Sequence, residues 1–469
     1  MSRVEQLRNR YPEFTYTSAT HILTANGLQL VYSYQVGSIA YSHTVFLQGV
    51  TEQNLENVSS TDLQDLVCHI GLIEAFSYWK ATCSPCISVV AFKISPQQAL
   101  WWHTVLVKGM GEYFFVNQID FTQENFVQIV SKNSGSTTFS KHPRTIPNVT
   151  TGTKILIPVG GGKDSIVSLE LLTNSYDAKL LGCLLVNPTQ AALDSAKLSG
   201  ISVSHVVDRQ FDPKLSRFTQ EQGLNGHVPV SASFAWISLL IARLFKYDLI
   251  ALSNEASSNE GSVEYKGHMV NHQYSKTYEF ELALQKYVRD WLSPSSPWYF
   301  SLLRPLHELQ IAKVFAEHTR YHSVFRSCNR GQKTNSWCGK CPKCLFAYLI
   351  LSPFISQERL IEIFGSAVLN SQALWPELQQ LLGIVPQKPL ECVGTRAECL
   401  AAVHLTTKKL SAENKPLPSL IQRVQSEPSM QHHNLNILSQ DILTGWNEHH
   451  SVPDELATIL KQRVQLVQT

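Results

Sequence analysis

One stretch, Lys154–Leu172, constrains the fold of this chain more than any other. It reads KILIPVGGGKDSIVSLELL. The apolar run Ile155–Val159 predicts a buried strand, three glycines follow it, and apolar residues then recur at helical spacing from Ile166. A strand that ends in a glycine turn and a helix N-terminus presents backbone N–H groups and partial positive charge. This arrangement favours the binding of phosphate.

The glycine turn is not a Walker A loop, because that motif has a glycine separated by four residues from its Gly-Lys pair, and Ile157 stands there. The turn resembles the PP-loop, SGGxDS, of the ATP pyrophosphatase families, which cleave ATP between its α and β phosphates. Gly160 replaces the first serine of that motif, so backbone N–H groups must do more of the binding. The alternative is an ordinary glycine-rich turn of an α/β domain. The resemblance implies that ATP is bound by Gly160, Gly161, Gly162, Lys163, Asp164 and Ser165.

Strands and helices are predicted to alternate after this turn, with strands over residues 179–186, 202–207 and 249–252. Such alternation predicts an α/β fold with a doubly wound parallel sheet, here of the PP-loop (HUP-like) type. Ligands bind at the carboxyl ends of the strands in such sheets. We therefore expect four segments to meet in one crevice, namely residues 160–165, 187–189, 208–209 and 253–260. Asn187, in the second of these segments, is a further predicted ATP-binding residue.

Acidic residues follow the strand that ends at Leu252. Glu255 and Glu260 lie in the sequence SNEASSNEG, and carboxylates are suited to holding Mg²⁺ against phosphates. Together with Asp164 they are predicted magnesium ligands. The alternative is a solvated loop without a metal.

A cysteine cluster, FRSCNRGQKTNSWCGKCPKCL, follows the predicted sheet. The spacing C-x9-C-x2-C-x2-C predicts a closed, structural tetrahedral Zn²⁺ site, with an iron–sulfur cluster or free thiols as alternatives. Such a site would hold a polar loop over the crevice, where basic side chains meet phosphate or carboxylate oxygens of a substrate. The predicted metal ligands are Cys328, Cys338, Cys341 and Cys344, and the predicted substrate-binding residues are Arg326, Arg330 and Lys333.

Three regions of the chain differ in their predicted secondary structure. Residues 1–150 predict an α+β accessory or substrate domain, in which His103–Val107 and Tyr113–Val116 are expected to be strands. Residues 151–352 predict the ATP-binding domain with the cysteine site. Residues 353–469 predict a mostly helical C-terminal segment.

The overall charge and cysteine content narrow the class of protein. With 469 residues and a formal net charge of +2, the chain lacks the strongly basic character of a nucleic-acid-binding protein. No apolar stretch is long enough to predict a membrane span, and the charged start does not predict a secretory signal. Ten cysteines then indicate reduced thiols and metal binding, so we expect a cytoplasmic enzyme.

Several stretches, taken in order, carry a wider resemblance. The glycine turn, SNEASSNEG, NHQYSK, the cysteine cluster and ECVGTRAE together resemble the MurL family of UDP-N-acetyl-α-D-muramoyl-L-alanyl-L-glutamate epimerases. That resemblance implies an ATP- and Mg²⁺-dependent inversion of the terminal L-glutamate of a UDP-muramoyl dipeptide, a peptidoglycan precursor, with release of AMP and pyrophosphate. The alternatives are a nucleobase- or tRNA-modifying PP-loop enzyme, such as a thiolase or a deazaguanine synthase, and a nucleotide-sensing module without turnover.

The group that would remove the α-proton is not identified by any motif. Cys183 on the second predicted strand and His272 in the NHQYSK stretch are the candidates, and a core cysteine and a loop histidine are the simpler interpretations. Lys163 would offset the charge of the departing pyrophosphate.

Overall fold

A single ten-stranded sheet runs through the computed structural model of the chain, which describes residues 1–133, 139–427 and 434–468. Its order is β12-β9-β6-β7-β8-β3-β2-β1-β4-β5, and β10 and β11 form a separate hairpin. The strands are β1 (Glu13–Thr24), β2 (Gly27–Val36), β3 (Ile39–Gln48), β4 (Cys86–Val89), β5 (Gln128–Ser131), β6 (Ile155–Pro158), β7 (Leu181–Val186), β8 (Ser204–Gln210), β9 (Leu249–Leu252), β10 (Val263–Tyr265), β11 (His268–Val270) and β12 (Trp298–Ser301).

Helices cover both faces of the sheet and make up most of the C-terminal part. They are α1 (Arg3–Arg10), α2 (Glu52–Leu55), α3 (Ser60–Trp79), α4 (Pro96–Gly109), α5 (Gly111–Val116), α6 (Lys163–Thr173), α7 (Gln190–Ser199), α8 (Pro213–Glu221), α9 (Val230–Phe245), α10 (Tyr278–Trp291), α11 (Glu308–Glu317), α12 (Pro342–Leu351), α13 (Gln357–Phe364), α14 (Trp375–Leu382), α15 (Arg396–Ala412), α16 (Ser419–Gln425), α17 (Leu435–Thr444) and α18 (Asp454–Gln468). In the described residues no helix combines the length and apolar content needed to cross a bilayer.

Strands β12, β9, β6, β7 and β8 are parallel, as the alternation of strands and helices predicts. Successive side chains of a strand point to opposite faces, so Ile155 and Ile157 enter one apolar core and Leu156 enters the other. The first core lies among α6, α7, α11, α12 and the C-terminal helices, and the second includes α3, α9 and α10. The prediction of an α/β fold with a largely parallel sheet and a helical C-terminal part is confirmed.

The N-terminal strands continue the same sheet instead of forming one of their own. β3 pairs antiparallel with β8, and β2 and β1 extend the sheet beyond it. Helix α3 lies between this half and α9, and every residue from Leu66 to Trp79 is buried. The domain limits 1–150, 151–352 and 353–469 stay predictions.

Two predicted strands of the N-terminal region are wrong. His103–Val107 lies within α4 and Tyr113–Val116 within α5. Both segments are rich in aromatic and β-branched residues, which favour strands, but Ser95 caps α4 by accepting from the N–H of Gln98. Burial of apolar side chains from both helices then outweighs local strand preference.

Candidate active site

The glycine turn joins β6 to α6, as predicted from the sequence. Gly161 has φ +81°, and a Cβ there would lie 2.6 Å from the backbone nitrogen of Ala192, so the close packing requires glycine. Gly160 has open space around it, and Gly162 caps α6. Within the described residues, the N–H groups of Gly161 and Gly162 have no hydrogen-bond partner. The turn thus offers free donors at a helix N-terminus, which is the geometry of an anion site.

Lys163, the first residue of α6, is a buried cation at this turn. Its ammonium contacts Asp164 at 2.5 Å and also forms an ion pair with Glu308, the first residue of α11. Burial alone would lower the pKa of Lys163, but the two carboxylates outweigh it and raise the pKa above its ordinary range. The ammonium therefore stays charged and is held by the two carboxylates.

Carboxylates outnumber cations around Lys163. Burial, together with the charges of Asp164, Glu255 and Glu398, raises the pKa of Glu308, while Lys163 acts in the opposite sense. Glu398 is held by the N–H groups of Glu308 at 2.7 Å and of Thr395 at 2.6 Å. Lys276 is a second ammonium on which the charges of Asp164 and Glu255 act, so four carboxylates stand near two ammonium groups. A divalent cation such as Mg²⁺ would compensate the remaining negative charge. Of these carboxylates, Glu308 had no motif to mark it in the sequence, and Glu398 ends the ECVGTRAE stretch but was not predicted as a site residue.

The acidic loop after β9 is divided between two environments. The side chain of Glu255 is buried and its carbonyl accepts from the buried Arg304 at 2.7 Å. Arg304 also donates to Ser258 at 2.6 Å, so it fixes the loop. Glu260, in contrast, forms an ion pair with Lys388. The structure thus groups Asp164 with Glu255 around Glu308 and gives Glu260 a different partner.

A second charged cluster lies beside the first. Lys276 donates to the thiol of Cys392 at 3.3 Å, and His272 contacts the carboxylate of Glu112 on α5. His227 lies 3.7 Å from the same carboxylate. Burial would lower the pKa of His272, but Cys392 and Glu112 outweigh it and raise the pKa to about 9. The N-terminal half therefore supplies a residue of this cluster, and Glu112, His227 and Cys392 were not predicted as site residues.

Two predicted site residues have evident structural roles. Cys183 is fully buried in the apolar core, and burial raises the pKa of its thiol to about 12. Such a thiol is poorly placed to exchange protons with a substrate. Asn187 has φ +44° and bridges β7 to β8, because its amide donates to the carbonyl of Arg209 and accepts from that residue's N–H. Arg209 itself, expected beyond the strand end, lies within β8.

The four predicted metal-ligating cysteines do come together. The Sγ distances are 3.9 Å for Cys328–Cys341, 3.6 Å for Cys338–Cys344 and 3.5 Å for Cys341–Cys344. Tetrahedral Zn²⁺ with bonds of about 2.3 Å separates its sulfur ligands by about 3.8 Å. The cluster is therefore compatible with one structural zinc ion, whereas the iron and sulfide of an iron–sulfur cluster would hold the cysteines farther apart.

The residues just before Cys328 reach the glycine turn. The N–H of Arg326 donates to the carbonyl of Gly161 at 2.9 Å. The Arg326 guanidinium donates to the carbonyls of Phe325 and Asn335 of its own loop. The two other predicted substrate-binding residues, Arg330 and Lys333, are exposed.

Comparison with known proteins matches almost the whole chain to one family. Residues 5–302 match the MurL N-terminal domain and residues 324–435 match the MurL C-terminal domain. Two proteins named UDP-N-acetyl-alpha-D-muramoyl-L-alanyl-L-glutamate epimerase are similar in sequence. The protein from a Micromonospora species is 32% identical over 83% of this chain and 84% of its own length. The protein from Salinispora tropica is 33% identical over 75% of each chain. The chain therefore belongs to the MurL family.

Proposed function

We propose that this chain is an ATP-dependent epimerase that inverts the terminal L-glutamate of UDP-MurNAc-L-Ala-L-Glu to D-glutamate and releases AMP and pyrophosphate. The substrate is the one in the names of its relatives. The observation that supports the use of ATP is the glycine turn, where the buried, charged Lys163 directly follows the free N–H groups of Gly161 and Gly162 in the chain. This combination supports a PP-loop that binds the phosphates of ATP.

Adenylation answers the main chemical difficulty of this reaction. Removing the α-proton next to a carboxylate would place two negative charges on neighbouring atoms, so that proton is hardly acidic. An acyl-adenylate has lost the carboxylate charge, and its carbonyl accepts electron density as the Cα–H bond breaks. A base on one face then removes the proton and an acid on the other face returns one. Hydrolysis finally releases AMP and the free carboxylate.

The residues around the glycine turn have distinct proposed roles. The N–H groups of Gly161 and Gly162 bind the phosphates, and Lys163 offsets the charge of the departing pyrophosphate. Asp164, Glu255 and Glu308 would hold Mg²⁺, which neutralises phosphate charge when it is bound. Arg326, Arg330 and Lys333 lie on the loop that meets the turn and would contact the anionic substrate.

The test is an assay with purified chain, UDP-MurNAc-L-Ala-L-Glu, ATP and Mg²⁺ in heavy water. We expect AMP and pyrophosphate in substrate-dependent amounts, D-glutamate after hydrolysis of the product, and deuterium at its α-carbon. Omission of ATP should stop both inversion and deuterium uptake. The alternative, a nucleobase- or tRNA-modifying enzyme, predicts ATP cleavage with no inverted glutamate.

Two results would count against the proposal in different ways. ADP and phosphate as the nucleotide products would refute a PP-loop mechanism. Deuterium uptake without ATP would mean direct racemisation, and the glycine turn would then have another role.

A further inference from the structure

The thiol of Cys392 differs from the other cysteines of the chain. Four cysteines form the metal cluster, and four more (Cys68, Cys83, Cys183 and Cys399) are buried. Cys86 is half-buried in β4 beside Ser88. Cys392 is also half-buried, but it lies in the irregular segment before α15 and is surrounded by cations.

Three cations face Cys392 from different elements. Lys276 donates to its Sγ at 3.3 Å, and Lys343 at the start of α12 donates to its carbonyl oxygen. The imidazole of His272 is the third, and the neighbouring Glu391 adds one negative charge. Burial would raise the pKa of Cys392, but Lys276, His272 and Lys343 outweigh it and hold the pKa well below its usual range. These cations therefore favour the thiolate form of Cys392, and a thiolate is a base.

The thiolate lies next to the proposed ATP site. The charges of Asp164 and Glu255 both act on Lys276, so the ammonium that contacts the sulfur of Cys392 also lies near the carboxylates at the glycine turn. The chain that follows Cys392 also enters the ATP site, because Glu398 accepts from the N–H of Glu308 at 2.7 Å. A glutamyl group joined to the α-phosphate at the turn would thus have its α-carbon near this segment.

We propose that Cys392 is a catalytic residue that transfers a proton at the α-carbon of the substrate's terminal glutamate, and that Lys276 positions its thiolate. This assignment rests on the proposed epimerase function. The sulfur takes the α-hydrogen as a proton, so an S–H bond forms and the C–H bond breaks. The electron pair passes into the adenylated carbonyl. An acid on the opposite face supplies the proton that restores a C–H bond with inverted geometry, and Cys392 then returns its proton to water.

The first test separates adenylation from proton transfer in the Cys392→Ser variant. Serine keeps the size of the side chain but is a far weaker acid, so it supplies no anion to act as the base. We expect inversion and α-deuterium uptake to fall by about 10²–10⁴-fold. Release of pyrophosphate in the first turnover should stay within about tenfold of the wild-type rate, since adenylation precedes proton transfer. Cys86→Ser is the matched control, because the half-buried Cys86 contacts Ser88 and no cation among the described residues. It should leave all three rates unchanged.

Each other outcome has a definite meaning. Inversion at near wild-type rate in Cys392→Ser would overturn the assignment. Loss of first-turnover pyrophosphate along with inversion would place Cys392 in folding or adenylation, and would overturn it too. If the wild-type chain released no pyrophosphate with this substrate, the proposed function would fall, and this assignment with it.

A second test concerns the positioning role of Lys276. Iodoacetamide alkylates thiolates, so Cys392 should react faster than Cys86 near neutral pH, with the labelled peptides identified by mass spectrometry. Lys276→Met should slow the labelling of Cys392 but not of Cys86, and Lys276→Arg should restore it. Equal labelling of Cys392 in the wild type and Lys276→Met would refute this role.

Discussion

Arg209 on β8 forms a bidentate ion pair with Glu74 on α3. Its Nε and Nη2 atoms donate to the two carboxylate oxygens at 2.9 and 2.6 Å, and both side chains are buried. The parallel half of the sheet contains β8, whereas α3 packs on β1 and β2 of the N-terminal half. The pair therefore joins the two halves close to the point where β8 pairs with β3.

Replacement of Glu74 should destabilise the whole chain. Glu74→Gln leaves the buried guanidinium of Arg209 without a counter-charge, and loss of one partner of a buried ion pair costs about 3–5 kcal/mol. Urea unfolding near neutral pH measures this change. The control is Glu362→Gln, which removes the exposed pair with Arg359 and should cost less than about 1 kcal/mol. Equal midpoints for the two variants would contradict the prediction.

The stability that Glu74 contributes should depend on pH. Burial would raise the pKa of Glu74, but Arg209 and His43 outweigh it and lower the pKa from 4.5 to about 2. A folded-state pKa below the unfolded value means that the contribution is present above about pH 4.5 and is lost as the pH falls towards 2. The difference in unfolding free energy between wild type and Glu74→Gln should therefore shrink on acidification. A constant difference would show that ionisation of Glu74 is not its source.

Loss of Asp164 should stop ATP cleavage without unfolding the chain. Its side chain is partly exposed in the first turn of α6, so Asp164→Ala should change stability by little. It also belongs to the proposed magnesium site, and we expect the rate of AMP formation to fall by at least about 10²-fold. Glu358→Gln, which alters an exposed acidic residue in the first turn of α13, is the control. Normal AMP formation by Asp164→Ala would argue against a PP-loop.

The purified chain should contain about one zinc ion, bound by the four clustered thiols. Cys341→Ser should remove the zinc and loosen the loop that reaches the glycine turn through the Arg326–Gly161 hydrogen bond. Elemental analysis measures the first effect, and proteolysis of the Cys328–Cys344 region measures the second. Cys86→Ser should retain the metal. Iron with a visible absorption band would identify a cluster instead.

Local patterns in the sequence predicted the parallel part of the fold well. The bounds of β9 agree with the predicted strand over residues 249–252, because a short apolar run is bounded there by polar residues. The glycine turn and cysteine cluster were also evident, since their chemistry depends on near neighbours. The predicted strand at residues 103–107 was wrong, because a helix cap and the burial of apolar side chains in the tertiary structure favour a helix there.

The remaining part of the candidate site could not be predicted from local patterns. Lys163 and Glu308 are 145 residues apart, and Lys276 and Cys392 are 116 residues apart. Their proximity depends on how α6, α11 and the segment before α15 pack together. No spacing rule in the sequence carries that information. The same holds for Glu112, which the N-terminal half brings to His272.

Glu308 provides a last prediction, which concerns magnesium. Its buried carboxylate pairs with Lys163, and its backbone N–H donates to Glu398. Burial and the surrounding negative charges raise the pKa of this carboxylate. A divalent cation bound by these carboxylates would favour the ionised form of Glu308. Glu308→Gln therefore removes a negatively charged ligand of that cation and also the partner of Lys163.

We expect Glu308→Gln to raise the Mg²⁺ concentration needed for half-maximal AMP formation by about 10–100-fold, the range found when groups that support a metal site are removed. Magnesium titrations at saturating ATP measure the change. The matched control is Glu317→Gln, for which we expect no effect. Glu317 is on the same helix, and its exposed carboxylate pairs with Arg463. A lower maximal rate at an unchanged magnesium requirement would mean that Glu308 serves Lys163 and not the metal. In that case the magnesium site would have to be built from Asp164 and Glu255 alone.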